Sequence, residues 1–184
     1  MVELTKITIP ELEEIEKECR LGAFSVYDME CICPELTKLM PNEVYLEIGV
    51  DKGKSLSFAR HVTNPEVIVC GVDIKEDPKV ENTVFFHGKS NEVAQWNWFN
   101  KFGLLKISLL FIDGDHTYQG CKTDIESWFP HMKQHGVMFF HDHDESSPGV
   151  LQAVSEFVNN YKGSLDYRMF KKTDKNTSMA GIWL

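Results

Sequence analysis

Residues 44–53, Val44-Tyr45-Leu46-Glu47-Ile48-Gly49-Val50-Asp51-Lys52-Gly53, decide the fold. Val44 to Ile48 is a short β-rich run that stops at Gly49, and Lys54 to Arg60 then reads as a helix. The unit is strand, tight turn, helix. Moving outward, the unit recurs with different content. Val67 to Val72 is a strand ending at Asp73, Thr83 to Phe86 is a shorter one ending at His87-Gly88, and a helix follows from about Asn91 to Phe102. Ile107 to Ile112 ends at Asp113, a helix from about Gln119 to Gln134 stops at His135-Gly136 with glycine as its C-terminal cap, and Val137 to Phe140 is the fifth strand. Near-continuous apolar strands alternating with helices imply a parallel sheet buried on both faces. After a last helix, about Gly149 to Tyr161, two strands (Asp166 to Phe170 and Met179 to Leu184) flank a polar turn, Lys171 to Ser178. With no helix between them they pair as a hairpin, which puts one antiparallel strand into the sheet.

The expected fold is therefore α/β: a doubly wound, mostly parallel seven-stranded sheet with a C-terminal antiparallel hairpin. Upstream, Pro10 opens a helix with Leu12, Ile15 and Cys19 on one face, and a second short helix is expected from Pro34 to Met40. Residues 1–42 thus read as a helical N-terminal extension to a domain over residues 43–184. A length of 184 residues suits one compact unit at ~100–200 residues per domain.

The formal charge of −9 argues against nucleic acid or anionic lipid as a partner and leaves a small or neutral substrate easier to accept. No run approaches the ~20 apolar residues that span a bilayer, and the acidic N-terminus differs from a signal peptide, so a cytoplasmic location is expected. Five cysteines are an odd number and suit free thiols better than a disulfide framework. Cys31-Ile32-Cys33 lacks a second Cys/His pair at finger spacing, which argues against zinc there. Trp96, Trp98 and Phe99 read as anchors of one helix against the sheet.

In open α/β sheets ligands lie beyond the carboxyl ends of the strands, where strand order reverses. The residues delivered there are Glu47 to Gly53, Asp73, Gly88-Lys89-Ser90, Asp113-Gly114-Asp115-His116 and His141-Asp142-His143-Asp144. Gly49 and Gly53 let the backbone turn tightly beside a ligand, and the following helix N-terminus offers free N–H donors. The dinucleotide pattern G-x-G-x-x-G and a Walker Lys-Ser are both absent, which weakens an NAD or phosphate reading. Asp73 ends the second strand, where a carboxylate can accept both hydroxyls of an adenosine ribose. Asp113 and Asp142 end neighbouring strands, and two carboxylates so placed favour a cation between them. Alternation would put His141 and His143 on one side and Asp142 and Asp144 on the other, so a mixed N/O site is open as well.

YLEIGVDKGKS, GVDI, FIDGDHTYQGCKTDIESWFPHMKQHGVMFFHD and a downstream PGV resemble the class I S-adenosylmethionine-dependent methyltransferases, over about residues 43 to 184. Within them the chain is most similar to the small-molecule O-methyltransferase branch that includes macrocin O-methyltransferases and cephalosporin hydroxylase-like proteins. The resemblance implies S-adenosyl-L-methionine as cofactor, with Glu47, Gly49 and Gly53 lining its methionine, Asp73 holding the ribose, Ser90 beside the adenine and Asp113 at the same edge. Lys89 stands where many members carry an acid. The resemblance further implies a divalent metal, Mg²⁺ foremost, on Asp113 and Asp142 with His141 adjacent, and Asp115 or His116 as general base, Asp115 favoured by position. The expected partners are a small-molecule acceptor and a homo-oligomer, and the acidic run Glu11 to Glu18 reads as a solvated helix face, with a cap on the substrate pocket or a dimer contact as the alternatives. The rival expectation is a non-catalytic nucleotide or cofactor-binding module of the same fold.

Overall fold

The structure, a computed structural model, describes residues 7–19, 22–103, 105–161, 163–171 and 178–184. Residues 172–177 of the expected polar turn lie outside the described residues. Chain order runs α1 (Ile9–Glu18), α2 (Val26–Leu36), β1 (Val44–Ile48), α3 (Lys54–Val62), β2 (Ile68–Asp73) and β3 (Val84–His87). A short α4 (Ser90–Glu92), a π-helical turn (Val93–Asn97) and α5 (Trp98–Phe102) lead to β4 (Ile107–Ile112) and α6 (Tyr118–Trp128). A 3₁₀ turn (Phe129–His131), β5 (Met132–His141), α7 (Pro148–Asn160), β6 (Asp166–Lys171) and β7 (Ser178–Trp183) complete it.

The seven strands form one sheet in the order β3-β2-β1-β4-β5-β7-β6. All neighbours are parallel except β7, which runs antiparallel to both β5 and β6. This is the doubly wound sheet with a terminal hairpin that the apolar runs imply. Side chains alternate between two cores. Val44, Leu46 and Ile48 face a cluster with Trp98, Trp128 and Val154 from α5, α6 and α7, whereas Tyr45 faces Leu12, Met29, Leu36 and Phe58 from α1, α2 and α3. Strand order reverses between β1 and β4, whose ends pair at Ile48 and Ile112. That reversal opens a crevice at the carboxyl ends.

Three local expectations are corrected. The second helix covers Val26–Leu36 rather than Pro34 to Met40. Its start is set by a capping box, in which Asp28 Oδ2 accepts from the Ser25 N–H and hydroxyl while the Ser25 hydroxyl accepts from the Asp28 N–H. Pro34 falls inside the last turns instead of opening the helix. The helix expected to reach Gln134 ends at Trp128, because Pro130 forces a 3₁₀ turn, and β5 begins already at Met132. Gly136 is therefore a strand residue, and no helix cap. Finally, Trp98 is fully buried but Trp96 is 67% exposed, because side chains two residues apart on a helix point to different sides, so the two do not anchor together.

Candidate functional site

Residues from β1, β2, β4 and the loops after them line a cleft of about 740 Å³ at the switch point. Gly49, at φ +86°, forms its floor where β1 passes β4. A Cβ there would lie 2.0 Å from the Asp113 carbonyl oxygen, so only glycine fits. The obstacle is thus the chain's own backbone, not a ligand. Gly53, at φ +83°, packs against Pro78 and Val80 and does not line the cleft. Glu47 does not line it either. It is completely buried, with its carboxyl 2.8 Å from the Tyr45 hydroxyl and 2.5 Å from the Ser55 hydroxyl. Burial pushes its pKa up to about 8.

Asp73 does face the cleft, and its two oxygens accept the N–H groups of Asp51 and Lys75 at 2.8 Å each. These bonds fix the carboxylate and leave each oxygen a further lone pair. Ser90 lies at the other end, where its oxygen accepts from the Trp128 indole N–H at 2.7 Å. That bond leaves the Ser90 hydroxyl proton to Asp124 on α6, a cleft-lining residue only 6% exposed. Burial is the chief cause that pushes the Asp124 carboxyl up to about 6. Sequence reading missed Asp124. Lys89, in the slot where an acid was looked for, is exposed and 3.7 Å from Glu92.

A charged cluster closes the third end. Among the described residues, Asp113, His141 and Asp142 each bring one donor atom within 4.8 Å of the others. His141 Nδ1 lies 3.3 Å from Asp113 and 3.4 Å from Asp142, while the His116 ring bridges the same two carboxylates at 3.2 and 3.3 Å. Asp142 has φ +52°, so strand alternation ends there and its carboxylate comes beside His141. His143 is not part of the cluster. It is fully buried, with Nε2 3.3 Å from the Tyr167 hydroxyl.

The electrostatics follow from the geometry. Burial of Asp113 opposes ionisation, but its contacts with His116 and His141 outweigh this and hold the carboxyl below its usual range. The hydrogen bond to Asp113 raises the His116 pKa. Burial works against protonating His141, yet Asp113, Asp142 and Asp28 together push it up to about 12. Asp115 lines the cleft and is exposed, with its Oδ1 accepting the Thr117 N–H at 2.9 Å and its Cγ 2.4 Å from where a Gly120 Cβ would be.

The donor set fits a divalent ion. Two carboxylates and an imidazole nitrogen converge, and one further buried carboxylate oxygen, Asp28 Oδ1, has no hydrogen bond and faces the far nitrogen of His141. The cleft equally suits an elongated nucleoside ligand, with a fixed acceptor at Asp73 and a buried acid at the Ser90 end.

Fold and site together define a doubly wound α/β protein with a polar cleft at its switch point. The family model described as "Methyltransferase domain" matches residues 46–143, more than half of the chain. The chain belongs to this family. An uncharacterized protein of Acanthamoeba polyphaga mimivirus is 30% identical over 130 residues, 62% of this chain and 58% of that protein, so the match spans little more than half of the relative's length. Among solved structures, the O-methyltransferase from Bacillus cereus, in complex with SAH, has a TM-score of 0.67 at 13% identity, covering 99% of this chain and 92% of that one. MycE methyltransferase from the mycinamycin biosynthetic pathway, in complex with Mg and SAH, has a TM-score of 0.62 at 18% identity, covering 96% and 54%. CalS11, a TDP-rhamnose 3'-O-methyltransferase of calicheamicin biosynthesis, has a TM-score of 0.62 at 15% identity, covering 93% and 91%. They share the Rossmann-like methyltransferase fold. Among the described residues, no helix is long and apolar enough to cross a membrane.

Proposed function

We propose that the chain is an S-adenosylmethionine-dependent methyltransferase acting on a hydroxyl of a small molecule, with a divalent cation beside the acceptor. The observation that carries this reading is the Asp113–His141–Asp142 cluster at the edge of the switch-point cleft, Asp113 belonging to both. The ribose hydroxyls of the methyl donor would donate to Asp73, whose position is held by two backbone N–H groups. The adenine would lie toward Ser90 and Asp124, and the sulfonium toward Asp113.

Methyl transfer to an alcohol forms a carbon–oxygen bond, breaks the carbon–sulfur bond and releases the hydroxyl proton. Asp113, His141 and Asp142 would hold the cation, whose chemistry is to orient the acceptor oxygen and lower its pKa. Oxygen donors suit Mg²⁺, and the His141 nitrogen brings Mn²⁺ within range. His116 is the group favoured to take the proton, because its ring contacts both carboxylates of the cluster, whereas Asp115 lines the cleft with its Oδ1 on the Thr117 N–H. The N-terminal segment as an oligomer contact is a further part of this proposal.

The test is a panel of hydroxylated small molecules with a radiolabelled methyl donor, run with chelator, Mg²⁺ or Mn²⁺. The expected result is methylation that disappears with chelator, returns with metal, and is lost in Asp113→Asn and Asp142→Asn alike. Full turnover in excess chelator, with Asp142→Asn as active as the parent, would remove the metal from the reading.

A further inference from the structure

The N-terminal segment outside the sheet sends one carboxylate into the charged cluster. We propose that Asp28 of α2 is a positioning residue for the cation site: its contact with His141 Nε2 holds the imidazole so that Nδ1 faces the gap between Asp113 and Asp142. This inference rests on the cation reading above.

Asp28 has two oxygens in different employment. Oδ2 is taken by the helix cap, accepting from the Ser25 N–H and hydroxyl at 2.7 Å each. Oδ1 has no hydrogen bond, is buried, and lies 3.4 Å from His141 Nε2. A capping-box acid satisfies the helix with one oxygen and is ordinarily at the surface. Here the side chain is only 4% exposed, so the cap alone does not account for its burial against the sheet edge. A buried carboxylate oxygen with nothing to accept is costly, and the imidazole N–H is the group that faces it.

The ring is fixed in the other directions by packing. Phe24, from the same N-terminal segment, lies 6.3 Å from the His141 ring, and Phe111 of β4 meets it edge-on at 6.1 Å and 87°. These contacts restrict the ring plane but do not distinguish its two nitrogens. Asp28 does once a cation takes the place of the Nδ1 proton. A carboxylate only accepts, so Asp28 would keep the remaining proton on Nε2 and leave the Nδ1 lone pair to the cation between Asp113 and Asp142. A histidine that ligates a metal through one nitrogen and donates to a carboxylate through the other is a recurrent arrangement, and losing the carboxylate typically weakens metal binding about 10–100-fold.

Asp28→Asn is the discriminating substitution. Its amide oxygen must stay with the Ser25 donors to keep the cap, so its NH₂ group would face Nε2 and favour the opposite tautomer. The measurement is Mn²⁺ affinity of the whole chain by electron paramagnetic resonance, with melting temperature recorded in parallel. The expected result is affinity reduced about tenfold or more in Asp28→Asn, with the metal-free variant still fully folded at the temperature of the titration. A Ser25→Ala control should lower the melting temperature and affect Mn²⁺ affinity less. Equal Mn²⁺ affinity in Asp28→Asn and parent would overturn the role of Asp28 while leaving the cation reading standing. No Mn²⁺ binding by the parent would overturn both. Independently of any variant, nitrogen-15 spectra of the Mg²⁺-loaded parent should show the His141 proton on Nε2, and a proton on Nδ1 would contradict the proposal.

Discussion

Glu47 lies on β1, an interior strand, with none of its surface exposed, and burial raises its pKa to about 8 from an ordinary 4.5. The raised value sets the sign of a pH dependence. Between about 4.5 and 8 the unfolded chain releases the proton and the folded chain keeps it, so stability falls as pH rises through that window. Urea unfolding should show a decline approaching, at most, about 1.4 kcal/mol per pH unit from this group, and Glu47→Gln should flatten it. An unaltered slope in Glu47→Gln would mean that the folded carboxyl is ionised. Asp73→Ala removes a fixed acceptor from the cleft and should weaken S-adenosylmethionine binding by about 1.5–3 kcal/mol, tenfold or more by calorimetry. An unchanged dissociation constant would place the ribose elsewhere. Gly49→Ala acts on the fold instead, since its Cβ would meet the Asp113 carbonyl and φ is +86°. Strain alone is about 1–3 kcal/mol, and a melting temperature equal to the parent's would refute the close packing. Asp73 could be picked out from its place at a strand end, whereas the burial of Glu47 could not, because it depends on β2 and β4 flanking β1 and on α3 bringing Ser55 onto its carboxyl.

At the scale of elements, strands were legible wherever apolar runs ended at Gly or Asp, and β1, β2 and β4 fall within a residue of their expected bounds. Helix ends were less so, because local signals compete. Pro34 has the look of a helix start, but the Ser25–Asp28 capping box wins, and Pro130 stops α6 before the glycine that resembled its cap. The contact of Asp28 with His141 joins residues far apart in sequence and has no periodic signature. Another such contact lies where α7 meets the loop before α6: a Cβ on Gly149 would fall 2.5 Å from the His116 carbonyl oxygen and 2.4 Å from the Tyr118 nitrogen. Gly149→Ala should therefore displace the His116 loop and reduce methyl transfer more than it lowers the melting temperature. Unchanged turnover would show that the loop accommodates the methyl group and that its position is not critical.

Across the whole molecule, the sheet order explains why residues from β1, β2, β4 and β5 share one edge. Parallel strands all end on the same side, and the reversal between β1 and β4 parts the flanking loops there. The helices of one face bring Ser90 and Asp124 to the cleft, and α2 on the other face brings Asp28 to the cluster, so the site is assembled from both cores. The central claim is that this cleft receives an S-adenosyl ligand. Calorimetric titration of the whole chain with S-adenosylhomocysteine, and in parallel with NAD, tests it most directly. The account predicts one saturable site for S-adenosylhomocysteine, weakened by Asp73→Ala, and no comparable binding of NAD. Absence of S-adenosylhomocysteine binding, or tighter binding of NAD, would contradict it.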